Sequence, residues 1–244
     1  MAGGRLSRQD RQQIALGLAD SLSYAEIARR LGRPTSTITR EVMRNGGPTA
    51  YRADTAVEVL PANASKGRDV KAAEQTKVDY ADGVLRIENS AKNQYLGPSG
   101  SIDVTVQLPA GSRVDAKAAS AEFRTVGRLG DVAFEGAYGQ IKLDEAASVR
   151  LIAIDGDVEV GRLNGPAEIS TARGDIRIAE AVRGTVVLRT QSGDISVSAA
   201  AGVSAALDAG TGYGRISNTL KNDGTAELDI HATTSHGDIA ARSL

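Results

Sequence analysis

The sequence predicts a mainly β protein, a parallel β-solenoid (β-helix-like) C-terminal domain preceded by a small all-α N-terminal domain. Three observations carry this. A three-residue phrase returns at Gly139-Gln140-Ile141, Gly156-Asp157-Val158, Gly174-Asp175-Ile176, Gly193-Asp194-Ile195, Gly214-Arg215-Ile216 and Gly237-Asp238-Ile239, in steps of 17, 18, 19, 21 and 23 residues. A repeat that short means a solenoid. Apolar and polar residues alternate between the glycines, as in Ile176-Arg177-Ile178 and Ile195-Ser196-Val197, which is the period of a half-buried strand. Charge is also unevenly divided. Residues 1–53 hold nine arginines against Asp10, Asp20, Glu26 and Glu41, a formal +5, while the rest carries 20 basic and 26 acidic residues, a formal −6.

Each repeat splits in two. Second glycine-led runs start at Gly165, Gly184, Gly202 and Gly224, so strands of four to six residues, two to a coil, would stack in parallel and bury a column of Ile, Val, Leu and Ala. Glycine suits the corners because tight turns demand positive φ. Aspartate suits them because its carboxylate bonds nearby backbone donors. A chain with 27 Gly and 3% aromatic residues fits a thin coil with little room for rings.

The N-terminal segment reads as the only helical part. Ser7 and Asp10 mark a first helix, with Ile14, Ala15, Leu16 and Leu18 apolar, ending near Asp20. Ser23-Tyr24-Ala25-Glu26 reads as a full capping box opening a second helix, with Ile27, Ala28 and Leu31 inward and Gly32 as its stop. A third helix runs from a cap at Thr35 or Ser36 to Asn45-Gly46-Gly47, burying Ile38 and Val42. Its other face carries Ser36, Thr37, Thr39, Arg40 and Arg44. Hydroxyls bond phosphates or base edges, and arginine forks onto guanine. A short helix, a glycine turn and a polar basic helix make a helix-turn-helix.

The stretch from Leu6-Ser7 through Glu26-Ile27-Ala28, Leu31-Gly32-Arg33, Thr37-Ile38, Arg40-Glu41, Arg44-Asn45-Gly46-Gly47 and Tyr51-Arg52-Ala53 resembles the N-terminal helix-turn-helix of insertion-sequence transposases and small actinobacterial regulators. The resemblance implies that the helix from Ser36 reads DNA, with Ser36, Thr37, Thr39, Arg40 and Arg44 as candidate contacts. Arg33, Arg5 and Arg8 join them as candidate DNA-binding residues, Arg5 and Arg8 on phosphate. The transposases continue into an α/β catalytic domain with three metal-binding carboxylates, a pattern not found here. From about Thr55 the chain resembles the bacterial β-strand-repeat family of adhesin type, on its Gly-Asp-Ile turns and on Asp69-Val70-Lys71-Ala72-Ala73-Glu74-Gln75-Thr76. That resemblance implies a solenoid-like β fold and no settled chemistry.

Ahead of the regular repeats, Thr55 to Leu60 alternates. Val78 to Ile87 reads as a hairpin about Asp82-Gly83, Ile102, Val104, Val106 and Leu108 share one strand face, and residues 89–100 form a polar loop with Gly97-Pro98. If the solenoid lacks the family's usual first strands, its N-terminal edge is expected to be open to pairing. Nonapeptide calcium rolls need Gly-Gly-x-Gly-x-Asp turns, so Asp157, Asp175, Asp194 and Asp238 read as turn caps. Arg173-Gly174-Asp175 falls in phase with the other turns. His231 and His236, the only histidines in a chain without cysteine, make a poor metal pair.

No nucleophile with a matching base, no phosphate-cradling loop and no isolated carboxylate pair stands out. The expectation is a protein that is not an enzyme, with no cofactor and no metal. Residues 1–53 form a DNA-binding helix-turn-helix domain, linked by Gly46 to Thr49 to a solenoid domain over residues 54–244. The partners are double-stranded DNA and copies of the chain itself, with a dimer favoured, and no membrane. A small-molecule ligand of the solenoid is left open. Without cysteine, secretory segment or spanning apolar run, the chain is expected in the cytoplasm. The leading function is a sequence-specific regulator whose solenoid oligomerises the heads or senses a partner. The rival is an assembly protein whose solenoids stack end to end.

Overall fold

Apolar residues gather into two separate cores, one among three short helices and one along the axis of a β-solenoid. The computed structural model describes residues 6, 8–19, 22–44, 47, 56–81, 84–89 and 100–244. They belong to two compact units, Met1–Pro109 and Ala110–Leu244.

The first unit opens with α1 (Arg8–Ala19), α2 (Tyr24–Leu31) and α3 (Thr35–Arg44). Leu6, Ile14, Ile27, Ala28, Ile38 and Val42 are buried together, with Leu18, Leu22, Tyr24 and Leu31 packed around them. Ile27/Leu31 and Ile38/Val42 each lie four residues apart, so α2 and α3 each put one stripe inward. The cap expected at Ser7, the linker at residues 46–49 apart from Gly47, the stretch Tyr51-Arg52-Ala53, the Asp82-Gly83 turn and Gly97-Pro98 lie outside the described residues.

After the helices, β1 (Ala56–Pro61) pairs antiparallel with β4 (Ile102–Gln107), and β2 (Thr76–Ala81) pairs antiparallel with β3 (Val84–Asn89). These match the expected strand, hairpin and strand. Between them lies α4 (Gly67–Glu74), packed on β1 and β4, so the N-terminal segment is not the only helical part. Asp69 is buried and accepts from the Ser101 N–H at 3.0 Å, while Asn89 Nδ2 donates to the Ala72 carbonyl at 2.9 Å. Those side-chain bonds secure a helix whose alternation signal is weak, because Val70, Ala72 and Ala73 are only half-buried.

The second unit is the parallel solenoid, seven coils with two ladders. In chain order its strands are β5 (Val114–Ser120), β6 (Phe123–Arg124), β7 (Arg128–Tyr138), β8 (Ile141–Ile152), β9 (Val158–Leu163), β10 (Ala167–Arg173), β11 (Ile176–Ala181), β12 (Gly184–Ser192), β13 (Ile195–Ala199), β14 (Ala205–Tyr213), β15 (Ile216–Thr219), β16 (Leu228–His236) and β17 (Ile239–Ser243). One ladder stacks β5, β7, β8, β10, β12, β16 and β14, and the other stacks β6, β8, β9, β11, β13, β17 and β15.

Strand β8 is twelve residues long and serves both ladders, longer than the expected four to six. Ile141, Leu143, Ala146, Val149 and Leu151 are buried. The intervals after Leu143 and Ala146 are three residues rather than two, so polar pairs reset the alternation and the strand bends round the core without a glycine.

The Gly-Asp-Ile corners work by contact between coils. Gly156, Gly174, Gly193 and Gly237 have φ of 140°, 131°, 152° and 150°, and a Cβ on any of them would strike the carbonyl of the glycine in the coil beneath. Only glycine meets both conditions. Each aspartate carboxylate accepts the backbone N–H of the next coil's corner: Asp157 from Asp175 at 2.9 Å, Asp175 from Asp194 at 2.8 Å, Asp194 from Asp238 at 2.7 Å and Asp238 from Arg215 at 2.8 Å. Turn-capping is thus the aspartates' role, directed up the stack rather than within one turn. The buried hydroxyls of Thr190 and Thr234 close the same corner by donating to the Gly174 and Gly193 carbonyls at 3.1 and 3.0 Å.

Those bonds disclose an order that the repeat spacing does not. The last coil, β16 and β17, lies between the coil of β12 and β13 and the coil of β14 and β15. The chain skips a level, builds the end coil, and returns to fill the gap. One core column reads Leu143, Val160, Ile178, Val197, Ala241 and Asn218 in stacking order. An asparagine in an apolar column is tolerated only where water reaches it, which assigns the β15 coil to the end.

Candidate nucleic-acid interface

Helix α2 starts at Ser23, whose backbone is extended and whose Oγ accepts from the Glu26 N–H at 3.2 Å. The box is half-formed, because the Glu26 carboxylate turns to Arg29 at 2.8 Å instead of back to Ser23. Gly32 ends the helix in the left-handed region, φ 60° and ψ 31°, and the Arg33 N–H returns to the Ala28 carbonyl at 3.0 Å. The chain then re-enters a helix at once. The expected cap at Thr35 or Ser36 falls one or two residues late: the Pro34 carbonyl accepts from Thr37 N–H at 2.9 Å and Thr35 already lies in α3. Proline cannot sit inside a helix but its carbonyl can open one.

Two ion pairs link the helices. Arg11 meets Glu41 at 2.7 Å, and Arg33 meets Asp10 at 3.1 Å, with side-chain exposure of 28% and 17%. Each joins α1 to the turn or to α3, so the angle at which α3 is presented is held by charge as well as by the small core.

A helix turns 100° per residue, which places Ser36, Arg40 and Met43 within about 60° of one another, opposite Ile38 and Val42. The burial follows: Ser36, Arg40, Met43 and Arg44 are exposed, Thr37 and Thr39 are half-buried on the flanks, and Ile38 and Val42 are sealed. Thr39 Oγ1 donates to the Thr35 carbonyl at 3.0 Å, leaving its lone pairs free to accept. Of the candidate residues, α3 therefore brings Ser36, Arg40, Arg44, Thr37 and Thr39 onto one surface, and Arg33 stands at its start, engaged with Asp10. Arg8 begins α1, with its side chain outside the described residues, as is the whole of Arg5.

Two exposed residues escaped the sequence reading. Met43 is 62% exposed between Arg40 and Arg44, an apolar side chain of the kind that meets a thymine methyl. Its signal was the three-residue interval from Arg40. Arg30 is exposed on α2 and has no ion-pair partner among the described residues, whereas Arg29 is engaged by Glu26. In a helix-turn-helix the first helix crosses the phosphate backbone, where a free guanidinium is useful.

Comparison with known proteins fits this geometry. A family model described as helix-turn-helix domain matches residues 3–45, and one described as Toastrack DUF4097 matches residues 54–242. Among curated proteins and among solved structures nothing matches the chain. No helix among the described residues is long and apolar enough to cross a membrane.

Proposed function

We propose that this chain, which belongs to the toastrack DUF4097 family and carries a helix-turn-helix domain at its N-terminus, is a sequence-specific regulator of transcription. The head, residues 1–53, binds duplex DNA, and the solenoid domain, residues 54–244, holds two heads together. The observation that carries the reading is the α3 surface: the guanidinium groups of Arg40 and Arg44, with no ion-pair partner among the described residues, stand beside an exposed methionine and hydroxyls on a helix fixed by a left-handed glycine turn. A single helix-turn-helix, with no wing among the described residues of the head, reads few base pairs, so useful specificity requires two heads on half-sites about 10 base pairs apart or a multiple of that. In this reading the chain is not an enzyme, needs no cofactor and works in the cytoplasm.

Selection of the full-length protein on a randomised duplex library, at two salt concentrations, tests this. Enrichment of a two-fold symmetric motif is the expected result. Salt-sensitive binding without a motif would instead support the rival assembly reading, in which the basic head grips nucleic acid through phosphate alone.

A further inference from the structure

The two ends of the solenoid are built differently. At one end β5 carries Asp115 and Lys117, and Lys117 Nζ meets Glu135 at 2.7 Å. Charges of that kind blunt an edge strand against pairing. At the other end β14 reads Ala205-Ala206-Leu207-Asp208-Ala209-Gly210-Thr211-Gly212-Tyr213, with one charged residue, no lysine, no proline and unbroken register against β16 from Ala205 to Thr211.

The backbone of β14 is directed both ways. Ser204 offers its carbonyl inward to the Leu228 N–H, whereas the Ala205 N–H turns outward to the Lys221 carbonyl at 3.0 Å. Residues of one parity share a direction in a parallel strand, so Leu207, Ala209 and Thr211 send their N–H and C=O groups away from the stack. No strand meets them among the described residues. The core is open there as well. Ile216 is 47% exposed, although Ile239, Ile195 and Ile176 in the same column are exposed by 1%, 1% and 0%.

We infer that the free edge of β14 is a two-fold interface on which a second copy of this chain pairs antiparallel, centred on Ala209. The free outward groups, those of Leu207, Ala209 and Thr211, are symmetric about that residue, and the ladder ends where Lys221 occupies the Ala205 N–H and the Tyr213 carbonyl turns inward to the Gly237 N–H at 2.9 Å. Ala209 meets Ala209 of the second copy and Leu207 meets Thr211, each pair exchanging both of its backbone bonds. On the outer face Asp208 meets Gly210 and Ala206 meets Gly212, so no like charges oppose. Such an interface is isologous and closes after two copies. The inference rests on the reading of the solenoid as the element that holds two heads, and it names the surface.

Gly210 provides the test. A Cβ there meets nothing within 4 Å, and its φ is outside the left-handed region, so substitution leaves the strand intact. Gly210→Asp puts two carboxylates opposite each other at both symmetry-related positions, whereas Gly210→Lys puts opposite charges there. Sedimentation of the full-length protein without DNA should show a dimer for the parent, about tenfold or greater weakening for Gly210→Asp, and an undiminished dimer for Gly210→Lys. A parent that stays monomeric, particles that lengthen with concentration, or equal behaviour of the two variants would overturn the interface. DNA separates the two readings. A Gly210→Asp monomer that still binds a single half-site leaves the head's role standing, while a normal dimer that ignores every duplex sinks the head's role and leaves the interface standing.

Discussion

The carboxylate of Asp194 accepts the backbone N–H of Asp238 at 2.7 Å across 44 residues of chain. Asp238 in turn accepts from Arg215 at 2.8 Å, so the corner that comes last in sequence is next-to-last in space. The final coil has a neighbour on both faces and seals the core, while the coil before it closes the stack.

Because the chain contains no cysteine, this order can be read by cross-linking. Ser196 is the register partner of Ala240, and Ala240 of Ser217. Cysteines at 196 and 240, or at 217 and 240, should form a disulfide on mild oxidation, because adjacent strands lie within its reach of about 4.4–6.8 Å between Cα atoms. Cysteines at 196 and 217, two strand spacings apart, should not. Bridging of that third pair would restore sequential stacking.

Gly174→Ala and Gly210→Ala separate the corner glycines from the others. At Gly174, φ is 131° and a Cβ would meet the Gly156 carbonyl, whereas at Gly210 it meets nothing. Urea unfolding should show a loss of about 3 kcal/mol or more for the first and within about 0.5 kcal/mol of the parent for the second. Equal losses would remove the close-approach argument.

The Asp238 carboxyl is held below the ordinary carboxylate range, first by the Arg215 backbone N–H and then by the Arg215 side chain. Asp223 is held down likewise, by the Ser204 hydroxyl and the Thr225 N–H. A depressed value in the folded state means stability that is complete above the ordinary carboxylate value and lost as pH falls through the folded-state value. The contact between the last two coils of the stack should therefore loosen on acidification. Asp238→Asn, which keeps an acceptor but cannot titrate, should flatten the acid limb of the unfolding curve. An unchanged limb counts against the assignment.

In the head, Ile38→Ala removes a fully buried side chain that packs with Leu6, Ile14, Ile27, Ala28 and Val42. A cost of about 2–5 kcal/mol exceeds what so small a core holds in reserve, so far-UV dichroism should lose helix while the strand signal persists. Arg33→Ala, which breaks the partly buried Asp10 pair, should cost about 1 kcal/mol of head stability.

On DNA, Arg40→Ala should cost about 1–3 kcal/mol on a preferred site and little on random sequence if Arg40 reads a base. Arg30→Ala should weaken all sequences alike and reduce the salt slope by about one unit if it touches phosphate. Met43→Ala should relax preference for thymine at one position. Uniform weakening by Arg40→Ala would end its base-reading role.

Much of this molecule was legible beforehand because its signals are local. Ser23, Gly32 and the Ile38/Val42 interval specify a helix, a left-handed stop and a second helix within a span of residues that fold as neighbours. The corner glycines and alternating strands specify a solenoid for the same reason. The three-residue interval from Arg40 already puts Met43 on the arginine face, but its apolar chemistry argues for core, and the two signals are decided only by its exposure in the fold. Helix α4 was not legible, because it is secured by Asp69 bonding to Ser101 and Asn89 to Ala72, contacts between segments far apart in sequence.

The sequence by itself therefore determined the elements: which residues turn, which alternate, and which helix carries arginine outward. Only the tertiary structure decided the order of the coils. The corners at Gly156, Gly174, Gly193 and Gly237 offer the same glycine, carboxylate and N–H, so their coils can stack on one another in any order, while the corner at Gly214 has Arg215 in place of the aspartate and supplies only its N–H. What chooses is burial. The coil with Asn218 and the exposed Ile216 is stable at an open end, and the coil with Leu228, Ile230 and Ile239 is stable only when covered on both faces.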